Sequence, residues 1–154
     1  MRSCGPCTAC CYVLGVIALG KGEWSRCSHQ EPGCAIYADR PSGCSSYRCA
    51  WLDGKLPEDE RPDVVGLIVD SGLTRSFLPL WGEDAVNVRE VSPGAASGTG
   101  AKLVDRLVGE GAPVFLKLHG GGCVLRSNDS AVRAKFDRLV ELKCEPVTES
   151  SDAP

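Results

Sequence analysis

The chain has 154 residues, the size of one ordinary domain or of a small domain with an appendage, which excludes a large multidomain machine. Its 43% hydrophobic and 24% charged residues, with a mean hydropathy of -0.07, argue against a membrane protein and against a disordered one. A net charge of -3 gives no general field for polyanions, so the usual electrostatic footprint of a nucleic-acid binder is missing.

Charge and cysteine are both unevenly spread. Residues 1–55 sum to +2 and residues 56–154 to -5, and eight of the ten cysteines lie between Cys4 and Cys49. The chain opens Cys4-x-x-Cys7-x-x-Cys10-Cys11 and continues Cys27-Ser28-His29, Cys34-Ala35-Ile36-Tyr37, Arg40-Pro41-x-x-Cys44 and Tyr47-Arg48-Cys49. Turn signals punctuate it at Gly5-Pro6, Glu31-Pro32-Gly33, Arg40-Pro41-Ser42-Gly43 and Asp53-Gly54. Residues 1–55 therefore read as a cysteine-rich, metal-held segment of short helices and turns, unable to bury enough apolar surface alone.

Tyr12 to Gly20 is an apolar run of nine residues, too short for a bilayer span of roughly 20. Four cysteines precede it and Lys21-Gly22-Glu23-Trp24 follows, which matches neither a secretory signal nor a lipoprotein signal. The expectation is a cytoplasmic protein with no membrane and no nucleic-acid partner. In a reducing compartment dense cysteines point to metal rather than to a disulfide framework, and Cys10-Cys11 and the C-x-x-C steps leave little room for unstrained local bridges.

Lys55 to Asp63 is polar, carries two prolines and reads as a connector. Beyond it, Val64 to Asp70, Thr74 to Trp81, Val86 to Val91 and Pro113 to Leu118 are strand candidates. Gly94 to Lys102 resembles a phosphate loop but misses its spacing, and reads as a flexible loop. Lys102 to Val108 and Ala131 to Leu142 place apolar residues at helical spacing, with Asp129 or Ser130 as cap for the second. His119 to Gly122 reads as a glycine-rich hairpin, since the G-x-S-x-G of an esterase is missing. Residues 56–144 thus form a small β-sheet with two helices, making the whole an α+β chain. Residues 145–154 lack apolar anchors and read as a disordered tail.

Thiolates two residues apart can share one cation within a tight turn, which makes C-x-x-C the common unit of zinc and iron–sulfur sites. Eight cysteines in 46 residues point strongly to a soft metal or a cluster. They suit two tetrahedral zinc sites, one four-iron cluster with four thiols left over, or a mixture. Cys10 and Cys11 are adjacent, and neighbouring side chains diverge, so the two point toward different centres. Eight ionised thiols holding two divalent cations would take residues 1–55 from +2 to -2.

The pattern C-x-x-C-x-x-C-C, C-x-H, C-x-I-Y-x-x-R-P-x-x-C-x-x-Y-x-C resembles the YkgJ-like cysteine-cluster family of bacterial proteins, described as a zinc- or iron-chelating domain. The resemblance covers Cys4 to about Leu52, one third of the chain. It implies metal ligation by Cys4, Cys7, Cys10, Cys11, Cys27, Cys34, Cys44 and Cys49. Flagellin lysine N-methylases carry a similar cluster in a longer chain, but nothing here matches a methyltransferase fold.

Around the cluster, Arg40 is a candidate to stabilise thiolates and Tyr37 and Tyr47 to cover the site and exclude water. His29 is a candidate neighbour of the ligands, since eight cysteines already fill two sites. Cys123 and Cys144 read as small buried hydrophobes, and Trp24, Trp51 and Trp81 as core or cluster cover. Three functions fit this pattern: a metal-binding protein holding zinc or an iron–sulfur centre, a redox or group-transfer enzyme, and a zinc-stabilised interaction module. Closed all-cysteine coordination leaves no open position for water, which leans away from metal-dependent hydrolysis.

Overall fold

The computed structural model describes residues 2–31, 33–70 and 85–143, with the side chains of the last helix described to Asp137. In the first third the backbone turns often, as its glycines and prolines dictate. Helix α1 (Ala9–Val13) is followed by a 3-10 turn at Ile17–Leu19, a two-residue hairpin of β1 (Gln30–Glu31) and β2 (Gly33–Cys34), and helix α2 (Ser42–Ser45). The polar connector forms a 3-10 turn at Glu58–Glu60 and leads into α3 (Pro62–Val65).

The expected strand at Val64 to Asp70 is only half a strand. Pro62 occupies the first turn of α3 and Gly66 ends it in the left-handed region at φ 72°, so the extended stretch is β3 (Leu67–Val69). Proline pre-sets the helical φ at an N-terminus and glycine takes the positive φ past a C-terminus, and this pair overrides the apolar run. The candidate strand Thr74 to Trp81 and the tail 145–154 lie outside the described residues.

Strands β4 (Val86–Glu90), β5 (Val114–Lys117) and β6 (Cys123–Arg126) complete a sheet in the order β3-β4-β5-β6. The β3/β4 and β5/β6 pairs are antiparallel, and β4/β5 is parallel, with Val86 opposite Val114 and Val88 opposite Leu116. Parallel neighbours need a crossover, here supplied by α4 (Ala101–Gly109). The hairpin expected at His119 to Gly122 joins β5 to β6, its three glycines all having positive φ. Helix α5 (Ser130–Lys143) ends the described chain, and Asp129 caps it, its Oδ1 accepting from the N–H of Ala131 at 2.8 Å.

Gly94 to Lys102 is a packed turn rather than a flexible loop. Gly94 has φ 75° and opens a 3-10 turn at Ala95–Ser97, and the Thr99 hydroxyl donates to the Val65 carbonyl at 2.9 Å. A Cβ on Gly100 would collide with the Leu67 side chain and lie 3.0 Å from the Val65 carbonyl oxygen. These small residues are there for close approach to α3 and β3.

Strand alternation divides the core. Leu67, Val69, Val88, Val114 and Leu116 pack with Leu103, Val104 and Leu107 of α4 and with Ala50, Trp51 and Leu56. Ile68 faces the opposite way and packs with Ala9 and Val13 of α1, surrounded by Cys7, Cys10, Trp24, Tyr47 and Cys49. At β3 the sheet is therefore covered by α4 on one side and by the cysteine-bearing segment on the other. On that second side α5 sets Phe136 edge-on to Phe115 of β5, ring centroids 6.0 Å apart.

Candidate metal centre

Five short pieces of chain bring the thiols together. Cys4 and Cys7 stand on a turn with Gly5 at φ 55°, closed by the Cys7 N–H donating to the Cys4 carbonyl at 3.0 Å. Helix α1 carries Cys10 and Cys11. The loop from Cys27 into the β1/β2 hairpin sets Cys34 beside Gly33, whose φ is 90°. Cys44 lies on α2, its N–H donating to the Pro41 carbonyl at 2.8 Å. Cys49 is fixed against the sheet, bridged to Asp70 just past β3, and the next residue's N–H donates to the Val69 carbonyl at 2.8 Å.

Seven of these cysteines, Cys4, Cys7, Cys10, Cys11, Cys27, Cys34 and Cys44, line one pocket together with Lys21, Tyr37, Arg40 and Tyr47. A second, smaller cavity is walled by Cys4, Cys7, Cys10 and Cys49 with Trp51, Leu52 and Ile68. All eight are free thiols; Cys27 is buried and the others are half-buried. Among the described residues, no three His, Cys, Asp or Glu side chains are gathered closely enough to form a coordination shell. The thiols thus border their cavities without converging on a point. The donor set nevertheless fits a soft cation: eight sulfurs in range of common cavities, and no competing carboxylate lining either one.

The electrostatics show which thiols feel one another. Burial is the main cause that pushes Cys7 up to about 11, with Cys49 adding to it. Cys49 is also raised, first by burial, and a charge on Cys4 would raise it further. Burial raises Cys44 too, and its sulfur neighbours are Cys11, Cys27 and Cys34. The neighbouring Cys10 and Cys11 thiols interact rather than diverging as expected, which raises Cys10 and lowers Cys11 to about 6, helped by the charges of Lys21 and Arg40.

Arg40 stands where a thiolate-stabilising cation would. Its Nε donates to the Tyr37 carbonyl at 2.8 Å and its guanidinium lies 3.6 Å from the centre of the Tyr37 ring. Tyr37 is 47% exposed, so it props the guanidinium at the pocket mouth rather than sealing the site. Tyr47 is mostly enclosed, and its hydroxyl donates to Asp70 Oδ1 at 2.6 Å, the same carboxylate that accepts two hydrogen bonds from Arg89. His29 lines neither cavity.

Lys21 escaped the sequence reading. Its Nζ donates to the carbonyls of Tyr12 at 3.0 Å and Gly22 at 2.9 Å, which holds the charge at the pocket wall. Burial lowers its pKa, and the nearby sulfurs Cys27 and Cys11 oppose that. Its only sequence signal is to be one of two cations between Cys11 and Cys27. Cys123, expected to be buried, is exposed on β6, because the register turns its side chain away from the core of Val114 and Leu116. Cys144 and Trp81 lie outside the described residues. Trp51 is in the core and Trp24 packs against the cluster of Ala9, Val13 and Ile68, its Nε1 donating to the Glu90 carbonyl at 2.8 Å. No described helix is long and apolar enough to cross a membrane.

No family model, curated protein or solved structure matches the chain.

Proposed function

We propose that this chain is a cytoplasmic metal-binding protein of the YkgJ-like kind, which chelates zinc or an iron–sulfur centre through Cys4, Cys7, Cys10, Cys11, Cys27, Cys34, Cys44 and Cys49. One observation carries the reading. Seven cysteines from separate pieces of chain border one pocket, and the eighth borders a cavity that shares three of them.

A bound ion would supply a cross-link of these pieces, whose own elements of two to five residues are too short to be stable alone. The chain's residues would do the rest. Lys21 and Arg40 offset the negative charge of ionised sulfurs, while Ile68, Trp51 and Leu52 keep water from the deeper cavity. A net charge of -3 gives no general attraction for polyanions, so the ligand proposed is the metal ion, without a nucleic-acid or membrane partner.

Metal analysis of protein purified without oxygen, read with its absorption spectrum, tests the proposal. The expected result is at least one equivalent of zinc plus iron per chain, and less than one equivalent overturns it.

A further inference from the structure

The eight thiols are not equivalent. Cys49 borders only the deeper cavity, where Cys4, Cys7 and Cys10, which also line the outer pocket, bring the thiols to four. Cys11, Cys27, Cys34 and Cys44 border only the outer pocket and make a second set of four. Tetrahedral sulfur sites take four ligands, and grouping the three shared thiols with Cys49 gives each set four. The border falls between Cys10 and Cys11, adjacent positions on α1.

The surroundings also differ. The inner set backs onto Trp51, Leu52 and Ile68, which are buried at 6%, 8% and 1% exposure, and Cys49 is tied by its bridge to the end of β3. A divalent ion with four thiolates is doubly negative, and the outer set has Lys21 and Arg40 beside it to offset that charge. Of its sulfurs Cys27 is buried, but Cys34 stands on a two-residue strand and Cys44 on a four-residue helix, with Tyr37 open to solvent at the mouth. Segments with so few buried contacts open at low free-energy cost.

We infer that the chain holds two separate ions, a slowly exchanging one on Cys4, Cys7, Cys10 and Cys49 and a readily exchanging one on Cys11, Cys27, Cys34 and Cys44. The inference rests on the metal-binding reading and adds to it the division of ligands and the inequality of the sites.

Native mass spectrometry of the zinc-loaded full chain tests the division. Wild type should carry two zinc ions. The double variants Cys7→Ser/Cys49→Ser and Cys34→Ser/Cys44→Ser, each confined to one set, should carry one. Cys44→Ser/Cys49→Ser, which damages both, should carry none. If the three doubles bind alike, or if wild type takes one ion or a cluster of iron with inorganic sulfide, the division is overturned while metal binding stands. If wild type takes less than one ion, the metal-binding reading itself fails. Cadmium-113 NMR of the loaded wild type needs no variant to fold: two resonances, both of all-sulfur coordination, are expected, and a single one overturns the pairing. A chelator should strip one equivalent of zinc at least tenfold faster than the other, and the fast phase should vanish in Cys34→Ser/Cys44→Ser. Equal rates, or a fast phase that survives that variant, overturn the assignment of the exchangeable site.

Discussion

Glu90 is 3% exposed, and its carboxylate is used twice: Oε1 accepts from the Ala96 N–H at 2.9 Å and Oε2 from the His119 N–H at 3.1 Å. One side chain thus pins the turn before α4 and the start of the β5/β6 hairpin. Glu90→Ala should cost about 1–3 kcal/mol, the usual penalty for leaving enclosed N–H groups without acceptors, read from urea unfolding. A loss below about 0.5 kcal/mol would mean that water replaces the carboxylate. The thiols give a pH signature of their own. Cys7 rises from 9.0 to about 11 on folding, chiefly through burial, and Tyr47 is also raised, chiefly through burial. Between those two values the folded chain binds more protons than the unfolded one, so stability falls as pH rises. Metal-free protein should therefore weaken steadily from pH 9 to 11 in urea titrations, and a flat profile would contradict this. Sequence spacing exposed the cysteines because their chemistry is local in the chain. It hid Glu90 and Lys21, whose partners are set by tertiary packing.

At the level of elements, apolar periodicity located α4, β4 and β5 to within a residue or two, since each has one buried face. The apolar run at Val64 to Asp70 misled because a proline and a glycine at the right distance outrank hydrophobic content. Glycines at 94, 98 and 100 suggested looseness, whereas Gly100 is a close contact: its missing Cβ makes room for Leu67. Gly100→Ala should therefore destabilise by about 1–3 kcal/mol, the usual cost of overpacking, despite alanine's better helix propensity. Chemical denaturation would show this as a lower midpoint. A stabilised Gly100→Ala protein would show that α4 can shift away from β3 at no cost.

Across the whole molecule, the composition shift near residue 55 separated a cysteine-bearing part from an α+β part. What composition could not show is that the two share packing. Ala50 and Trp51 sit in the same cluster as Leu67 and Leu103, and Ile68 packs among cysteines. The contacts that join them are many residues apart in the chain, and no local pattern encodes them. Loss of metal should accordingly be felt in two stages. With a strong chelator, amide hydrogen exchange should quicken first between Cys4 and Cys49, while Val86–Glu90 and Val114–Lys117 keep their protection. Unchanged exchange in the first segment would show that metal does not hold it.

The bridge from Cys49 to Asp70 and the hydrogen bond from Ala50 to Val69 lie along the outer margin of β3, the first strand in the sheet order. An uncovered sheet margin is a template for pairing with another chain, and native proteins commonly hide it. Here the cover is the stretch that carries a proposed ligand, so the thiol cluster would also guard against aggregation. Chelated protein should scatter more light on standing than loaded protein, and Cys49→Ser should do so even with metal present.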